Sequence, residues 1–186
     1  MHTLKFRLAE SHDIAGLLDL INSTYRHAHL RSWTNEAHLV SGARIDSTQL
    51  QQLIHLQYRE QMPTQLLIAE FNSQTVDGIV GCIALSYAEH DVEMGTFCIA
   101  SEWQNMGYGK QVLQAAEMYA LKHEPKLHSY SMWVLDQREE LIRFYQRRGY
   151  QATGRIEPYP VDAHVGEPLV ELQLIHLQKL VTAPTR

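Results

Sequence analysis

Residues 97–110 read FCIASEWQNMGYGK, an apolar run that passes through a short polar loop into a glycine-containing turn. Apolar side chains recur after Gly109 at spacings of three and four, which predicts a long amphipathic helix. The first N–H groups of a helix have no partner within it and carry partial positive charge, so they can bind a pyrophosphate. Gly107 and Gly109 would let an anion approach the backbone. An ordinary tight turn explains the same features, so the stretch alone leaves both interpretations open.

The segments before this turn show alternating and helical apolar patterns. Alternation over residues 3–8 predicts a strand, and helical spacing from Ile14 predicts a helix that ends between Asn22 and Tyr25. Asp46 precedes a second predicted helix over 48–61, which Pro63 closes. Apolar runs at 66–71, 78–87 and 92–100 predict a three-stranded antiparallel meander.

The segments after the long helix continue the alternation of strands and helices. Strands are predicted at 129–135, 150–156 and 169–176, with a helix over 137–148. Asp136 and Glu139 have the spacing of a capping box, and Gly149 is expected to end the helix with a positive φ. The order of elements predicts one α/β domain over residues 1–186, with a mixed sheet and helices on its faces.

Composition excludes several classes of function. Of 186 residues, 45% are hydrophobic and 20% are charged, as in an ordinary globular protein. No apolar signal core or membrane-length run is present, so no membrane contact and a cytoplasmic location are expected. The net charge of −5 argues against nucleic acid and favours a cationic substrate. Neither HExxH nor ligand spacing around the eleven histidines indicates a metal.

Two further expectations concern the cysteines and the assembly. Cys82 and Cys98 lie among apolar or β-branched residues, so they are expected to be small buried side chains without a disulfide. A homodimer is compatible with the sequence.

The hexamer QNMGYG at residues 104–109 resembles the acetyl-CoA signature of the GNAT N-acetyltransferase superfamily, which is Gln or Arg, two residues, Gly, one residue, Gly or Ala. A second region, MWVLDQREELIRFYQRRGY at 132–150, resembles that family's closing strand, Tyr-bearing helix and Gly-aromatic exit. The resemblance runs from Thr3 to about Lys179. It implies the acyl-CoA N-acyltransferase fold, with a mostly antiparallel sheet of about seven strands and about four helices.

The resemblance also implies a set of site residues. Tyr145 matches the tyrosine near the cofactor sulfur, and Arg138 stands where many relatives have Asn. A backbone N–H near Cys98 or Ile99 is implied to stabilise the oxyanion. The residues expected to contact acetyl-CoA, without any metal, are Phe97, Cys98, Ile99, Gln104, Asn105, Met106, Gly107, Tyr108, Gly109, Lys110, Arg138 and Tyr145.

The chemistry needs a base, because an ammonium of pKa about 10.4 is almost entirely protonated at neutral pH. Glu93 lies eleven residues before Gln104, the offset of the base in the histone-acetyltransferase branch, and could act directly or through a water. Tyr145 is the candidate acid for the leaving thiolate. A solvent-facing glutamate and a packed helix tyrosine are the simpler interpretations, and Glu89 or Asp91 could replace Glu93.

The expected function is transfer of an acetyl group from acetyl-CoA to a primary amine by direct attack, with a small cationic amine as acceptor. The acceptor pocket is expected from the irregular segment after the first helix and the loop before the last strand, where Tyr25, Trp33, Arg44, Tyr159 and His164 are available. A non-catalytic acetyl-CoA-binding regulator and an acetyltransferase for protein N-termini or lysines are the alternatives. Nucleotide-binding proteins of another fold are disfavoured, because no GxGxxG or GxxxxGK[ST] follows an early strand.

Overall fold

The computed structural model describes residues 3–27, 32–57, 64–72 and 78–181. Within these ranges the α-helices are α1 (Ile14–Arg26), α2 (Ser47–Leu56), α3 (Tyr108–His123) and α4 (Glu139–Gln146). The strands are β1 (Leu4–Leu8), β2 (Val40–Ser41), β3 (Thr64–Phe71), β4 (Ile79–Ala88), β5 (Asp91–Ile99), β6 (Ser129–Leu135), β7 (Gln151–Pro158), β8 (Glu167–Pro168) and β9 (Gln173–Leu180).

Seven strands form one sheet in the order β1-β3-β4-β5-β6-β9-β7, and β2 pairs with β8 in a separate ribbon. All pairs in the large sheet are antiparallel except β5 with β6. One core cluster joins the sheet to α3 and α4, and a second joins it to α1 and α2. The mixed, mostly antiparallel sheet with helices on both faces confirms the predicted fold class.

Strand β5 contains a bulge that reverses which side chains face each core. Cys82 pairs with Cys98 and Ala84 with Gly95, so Thr96 and Phe97 together oppose the single residue between them on β4. Thr96 has φ 44°, in the left-handed region. Met94, before the bulge, faces α3 and α4, and so does Ile99 after it. In a regular strand, residues five positions apart would face opposite sides of the sheet, so the bulge accounts for this change.

Strands β5 and β6 separate after a short parallel contact. Their pairing covers Asp91 with Ser129 through Glu93 with Ser131, yet β5 runs on to Ile99 and β6 to Leu135. The later part of β6 pairs only with β9 on its other side. A wedge-shaped opening therefore lies between the ends of β5 and β6, at the centre of the sheet.

Two local predictions were wrong. The last strand begins at Gln173, not at 169, because Leu169 and Val170 are exposed and only Leu172 enters a core. Asp136 does not cap α4: its carboxylate accepts from the N–H groups of Gln137 and Gln173, and Arg138 is the N-cap residue without a side-chain cap.

Other local predictions were confirmed. Asp46 caps α2 through the N–H of Gln49, and Gly149 has φ 91° after α4. The part of the second predicted helix beyond residue 57 lies outside the described residues. Of the helices in the described ranges, none is both long and apolar enough to cross a bilayer. Cys82 and Cys98 are buried and free, with 3.6 Å between their sulfur atoms.

Candidate active site

The opening of α3 presents backbone donors that no side chain caps. Gly107 is the N-cap residue with φ 84°, and no side-chain hydrogen bond satisfies the first turn. The first intrahelical bond runs from Gln111 N–H to the Gly107 carbonyl, so the N–H groups of residues 108–110 have no partner within the helix. A Cβ added at Gly109 would lie 3.8–3.9 Å from side-chain atoms of Ile99, Phe144 and Phe97. These side chains line a cleft of about 270 Å³, so Gly109 keeps the cleft open beside free amides.

Gln104 fixes the loop that leads into α3. Its side-chain nitrogen donates to the Ile99 carbonyl at 2.7 Å and to the Ser32 hydroxyl at 2.9 Å. Its side-chain oxygen accepts from the Trp33 N–H at 2.6 Å. Gln104, the first residue of the QNMGYG hexamer, therefore joins the end of β5 to the segment after α1 and holds the turn in place.

The backbone of Ile99 faces the opening between the strands. Ala100 N–H donates to the Val80 carbonyl at 2.8 Å, which sets the hydrogen-bonding pattern between β5 and β4. Because N–H and C=O groups alternate sides along an antiparallel strand, both groups of Ile99 point away from β4. Gln104 binds the carbonyl, and the Ile99 N–H remains directed at the side from which β6 has diverged. This geometry suits the donor that the resemblance implied near Cys98 or Ile99.

Tyr145 lies on the face of α4 that lines the cleft, together with Leu141, Phe144 and Arg148 at helical spacing. Its ring is 8% exposed and packs 5.2 Å from Phe144 and 6.5 Å from Phe97, measured between ring centres. Among the described residues its hydroxyl has no hydrogen-bond partner. Burial raises the pKa of Tyr145, and the nearby Arg138 and Arg148 oppose this in part. The phenol is therefore protonated throughout the neutral range.

Glu93 lies outside this cleft, on the part of β5 that precedes the bulge. Glu93 is an exposed residue, and partial desolvation by its neighbours raises its pKa; a hydrogen bond from Trp133 lowers this pKa, and the charges of Asp91 and Glu157 raise it further. A strand advances about 3.3 Å per residue, so the Cα of Glu93 is roughly 10–13 Å from that of Phe97. That separation favours proton transfer through water over direct contact with an amine beside Phe97.

Arg138 also lies outside the cleft and binds the protein itself. Its guanidinium is almost fully buried and donates to the carbonyls of Trp33 and Asn35 and to the Glu140 carboxylate. Arg138 therefore links α4 to the segment after α1. Trp33 lies at the mouth of the cleft, with 6.4 Å between its ring centre and that of Phe144.

Residues expected to bind the acceptor divide into three groups. Tyr25, Arg44 and Tyr159 lie near one another on the α1–α2 side, where the Arg44 charge affects the pKa of both tyrosines. Trp33 lines the cleft beside α3 and α4. His164 lines a separate surface groove with Asp46 and Gln49.

The structure brings most of the predicted cofactor residues together in the cleft. Those that line it are Phe97, Cys98, Ile99, Gln104, Asn105, Gly107, Gly109, Lys110 and Tyr145. Met106 points to solvent and Tyr108 packs in the core against Phe71. The sequence interpretation missed Thr34, Leu141, Phe144, Arg147 and Arg148 as lining residues. The helical spacing of residues 141, 144, 145 and 148 was the available signal for α4.

Within the described ranges, no three or more His, Cys, Asp or Glu residues form a group able to hold a metal ion. Residues 63–152 match a family model described as an acetyltransferase (GNAT) domain. Among curated proteins, no sequence matches the chain.

Solved structures of acetyltransferases share the fold at low identity. The chain is similar to an acetyltransferase of the GNAT family from Streptococcus pneumoniae, with a TM-score of 0.67, 18% identity, and coverage of 97% of this chain and 100% of that one. The chain is also similar to a spermidine N-acetyltransferase from Vibrio cholerae in complex with CoA and spermine, with a TM-score of 0.67, 17% identity and coverage of 95% of both chains. For a ribosomal-protein-S18-alanine N-acetyltransferase from Escherichia coli, the TM-score is 0.66 and the identity 10%, and the match covers 99% of this chain and 97% of that one.

The family match covers the separating strands, the uncapped opening of α3 and the helix that carries Tyr145. Residues 63–152 therefore match an acetyltransferase (GNAT) domain, and the chain shares its fold with acetyltransferases of known structure.

Proposed function

We propose that the protein transfers the acetyl group of acetyl-CoA to a primary amine, which attacks the thioester directly. The observation that carries this proposal is the meeting of two features in one cleft. Free amides open α3 at one end, and the unpartnered hydroxyl of Tyr145 lies beside the diverging strand ends. Amides suit a pyrophosphate, and a phenol suits a departing sulfur.

Bound acetyl-CoA would supply the thioester, and the chain's own groups would position and stabilise it. The amides of residues 108–110 would hold the diphosphate, with Lys110, Arg147 and Arg148 adding positive charge along the cleft. The Ile99 N–H would donate to the carbonyl oxygen as charge gathers there. In the transfer, the nitrogen–carbon bond forms, the carbon–sulfur bond breaks, and the proton lost by nitrogen leaves through solvent or Glu93.

Tyr145 would act at the sulfur as a hydrogen-bond donor. Because its pKa is raised, the phenol holds its proton more tightly than an exposed tyrosine does. Complete proton transfer to a thiolate of lower pKa would be uphill. Donation of a hydrogen bond stabilises the same developing charge without that cost, so we assign this role to the hydroxyl.

The acceptor is a primary amine in this proposal, and its finer class rests on two observations. The net charge of −5 favours a small cationic amine, and the V. cholerae structure contains spermine. A protein N-terminus is the second candidate, favoured by the similarity to the ribosomal-protein-alanine enzyme.

The proposal is tested by calorimetry with acetyl-CoA and by thiol release against a panel of polyamines, simple amines, amino acids and N-terminal peptides. We expect micromolar or tighter cofactor binding and thiol release that depends on an amine. Binding without release from any amine would identify a regulatory module, and absence of binding would refute the proposal.

A further inference from the structure

The acceptor must approach from the α1–α2 side of the opening. On the other face of the sheet, α3 and α4 line the cleft assigned to the cofactor. The two sides meet at the end of β5, where Cys98 lines the cleft and also belongs to the core cluster of α1 and α2. Side chains beside Cys98 on the α1–α2 face are therefore the ones that an acceptor would encounter.

Tyr25 connects this region to the end of β5. The Tyr25 hydroxyl donates to the Phe97 carbonyl at 2.9 Å, directly at the bulge. The Arg44 guanidinium carbon lies 5.5 Å from the centre of the Tyr25 ring. One tyrosine side chain thus separates this cation from the strand that lines the cleft.

Arg44 differs from Arg26 and Arg138 because it lacks a counter-ion among the described residues. Arg26 pairs with Glu36 at 3.0 Å, and Arg138 pairs with Glu140 at 2.6 Å. Within the described residues, the Arg44 guanidinium has neither a carboxylate partner nor a hydrogen bond, although the residue is half-buried. A partly desolvated guanidinium without a partner is unfavourable, and an anionic ligand would relieve it.

We infer that the acceptor carries an anionic group, such as a carboxylate, several bonds from its amine, and that Arg44 binds this group beside Tyr25. Tyr159 lies within electrostatic reach of Arg44 and of the Arg26–Glu36 pair, so the uncompensated charge beside it is that of Arg44. This local charge opposes the preference that the net charge of the whole chain suggested. The inference rests on the proposed amine acetylation and narrows the class of acceptor.

Three amines with matched carbon chains separate the classes of acceptor. These are γ-aminobutyrate with a carboxylate, butylamine without a charge at that end, and putrescine with a second ammonium. We expect kcat/KM to be roughly tenfold or more higher for γ-aminobutyrate than for butylamine, and lowest for putrescine. Higher salt should reduce the preference, because it screens the attraction.

Variants test whether Arg44 is responsible. Arg44→Met should lower kcat/KM for γ-aminobutyrate at least tenfold more than for butylamine, and Arg44→Lys should retain part of the preference. Arg143→Met removes an exposed arginine of α4 and serves as the matched control, with no change expected in the order of the three amines. Thermal melts of each variant separate loss of the fold from loss of recognition.

Putrescine used better than γ-aminobutyrate, or equal losses for all three amines in Arg44→Met, would overturn the inference while the acetyltransferase activity stood. Thiol release from none of the panel amines would instead contradict the proposed function itself.

Discussion

The Tyr145 hydroxyl is a small group whose removal separates chemistry from binding. Tyr145→Phe keeps the ring contacts with Phe144 and Phe97 and removes an oxygen that has no partner among the described residues. We expect kcat to fall by about 10- to 100-fold, with the Kd of acetyl-CoA nearly unchanged. The melting temperature should stay nearly the same, because the substitution removes no hydrogen bond to a described residue and keeps the ring contacts. Unchanged turnover would remove the donor role.

The raised pKa of Glu93 predicts how kcat/KM depends on pH. Because partial desolvation raises the pKa of Glu93, kcat/KM should increase as the pH passes upward through that raised value, and Glu93→Gln should abolish this limb. Glu157→Gln removes a like charge and should move the limb to lower pH without abolishing it. Profiles of the three proteins with one amine provide the measurement, and an identical limb in Glu93→Gln would show that another group is the base.

The same shift affects stability. Since the folded pKa of Glu93 is raised, its ionisation opposes folding as the pH rises from the ordinary value through the raised one. Urea unfolding of Glu93→Gln at neutral pH should therefore show equal or higher stability than the parent protein, and the difference should vanish in acid.

At the level of elements, a substitution at the opening of α3 is expected to change stability and cofactor affinity in opposite directions. Gly109 is the second residue of α3 and has no positive φ, so Gly109→Ala should raise stability by up to about 1 kcal/mol. The added methyl group would project toward Ile99 and Phe144, into the cleft, and we expect cofactor affinity to fall at least tenfold. Gly107→Ala is the matched variant: its φ of 84° strains any other residue, so it should lose stability instead. Melting curves and calorimetry distinguish the two outcomes.

The elements were predictable where one side of a strand or helix enters the core, and less so elsewhere. Alternation located β1 and apolar runs located β3–β5, because each of these strands buries apolar side chains. The apolar pair Leu169–Val170 misled the interpretation of β9, because those side chains are exposed. The ribbon of β2 and β8 had no signal in the sequence, since its two strands are more than 120 residues apart and only two residues long.

In the candidate site, too, residues with a local sequence pattern were predictable and those held by distant contacts were not. The QNMGYG turn and Tyr145 have local patterns, and the structure places both at one cleft. Arg138 contacts carbonyls more than 100 residues earlier in the chain, so nothing adjacent to it could indicate its partners. Trp33 enters the cleft because Gln104 and Arg138 hold its backbone, which also required the folded chain.

For the molecule as a whole, the protection of backbone amides from hydrogen exchange should be highest in the middle of the sheet and lowest at one edge. Strand β4 lies between β3 and β5 and is largely buried, whereas β7 is exposed along its whole length and bonded on one side only. We expect amide hydrogen exchange to be slowest in β4 and at least tenfold faster in β7. Equal protection of the two strands would indicate that β7 is covered in solution, for example by a second copy of the chain.

The single extra residue in β5 has a consequence for how the chain could change. Deleting Thr96 would restore a regular strand and turn every later side chain of β5 by half a rotation. Cys98 would then exchange sides with Ile99, and the Ile99 N–H would be directed at β4. Substitutions can adjust this site gradually, but a change of chain length within β5 would abolish it in one step.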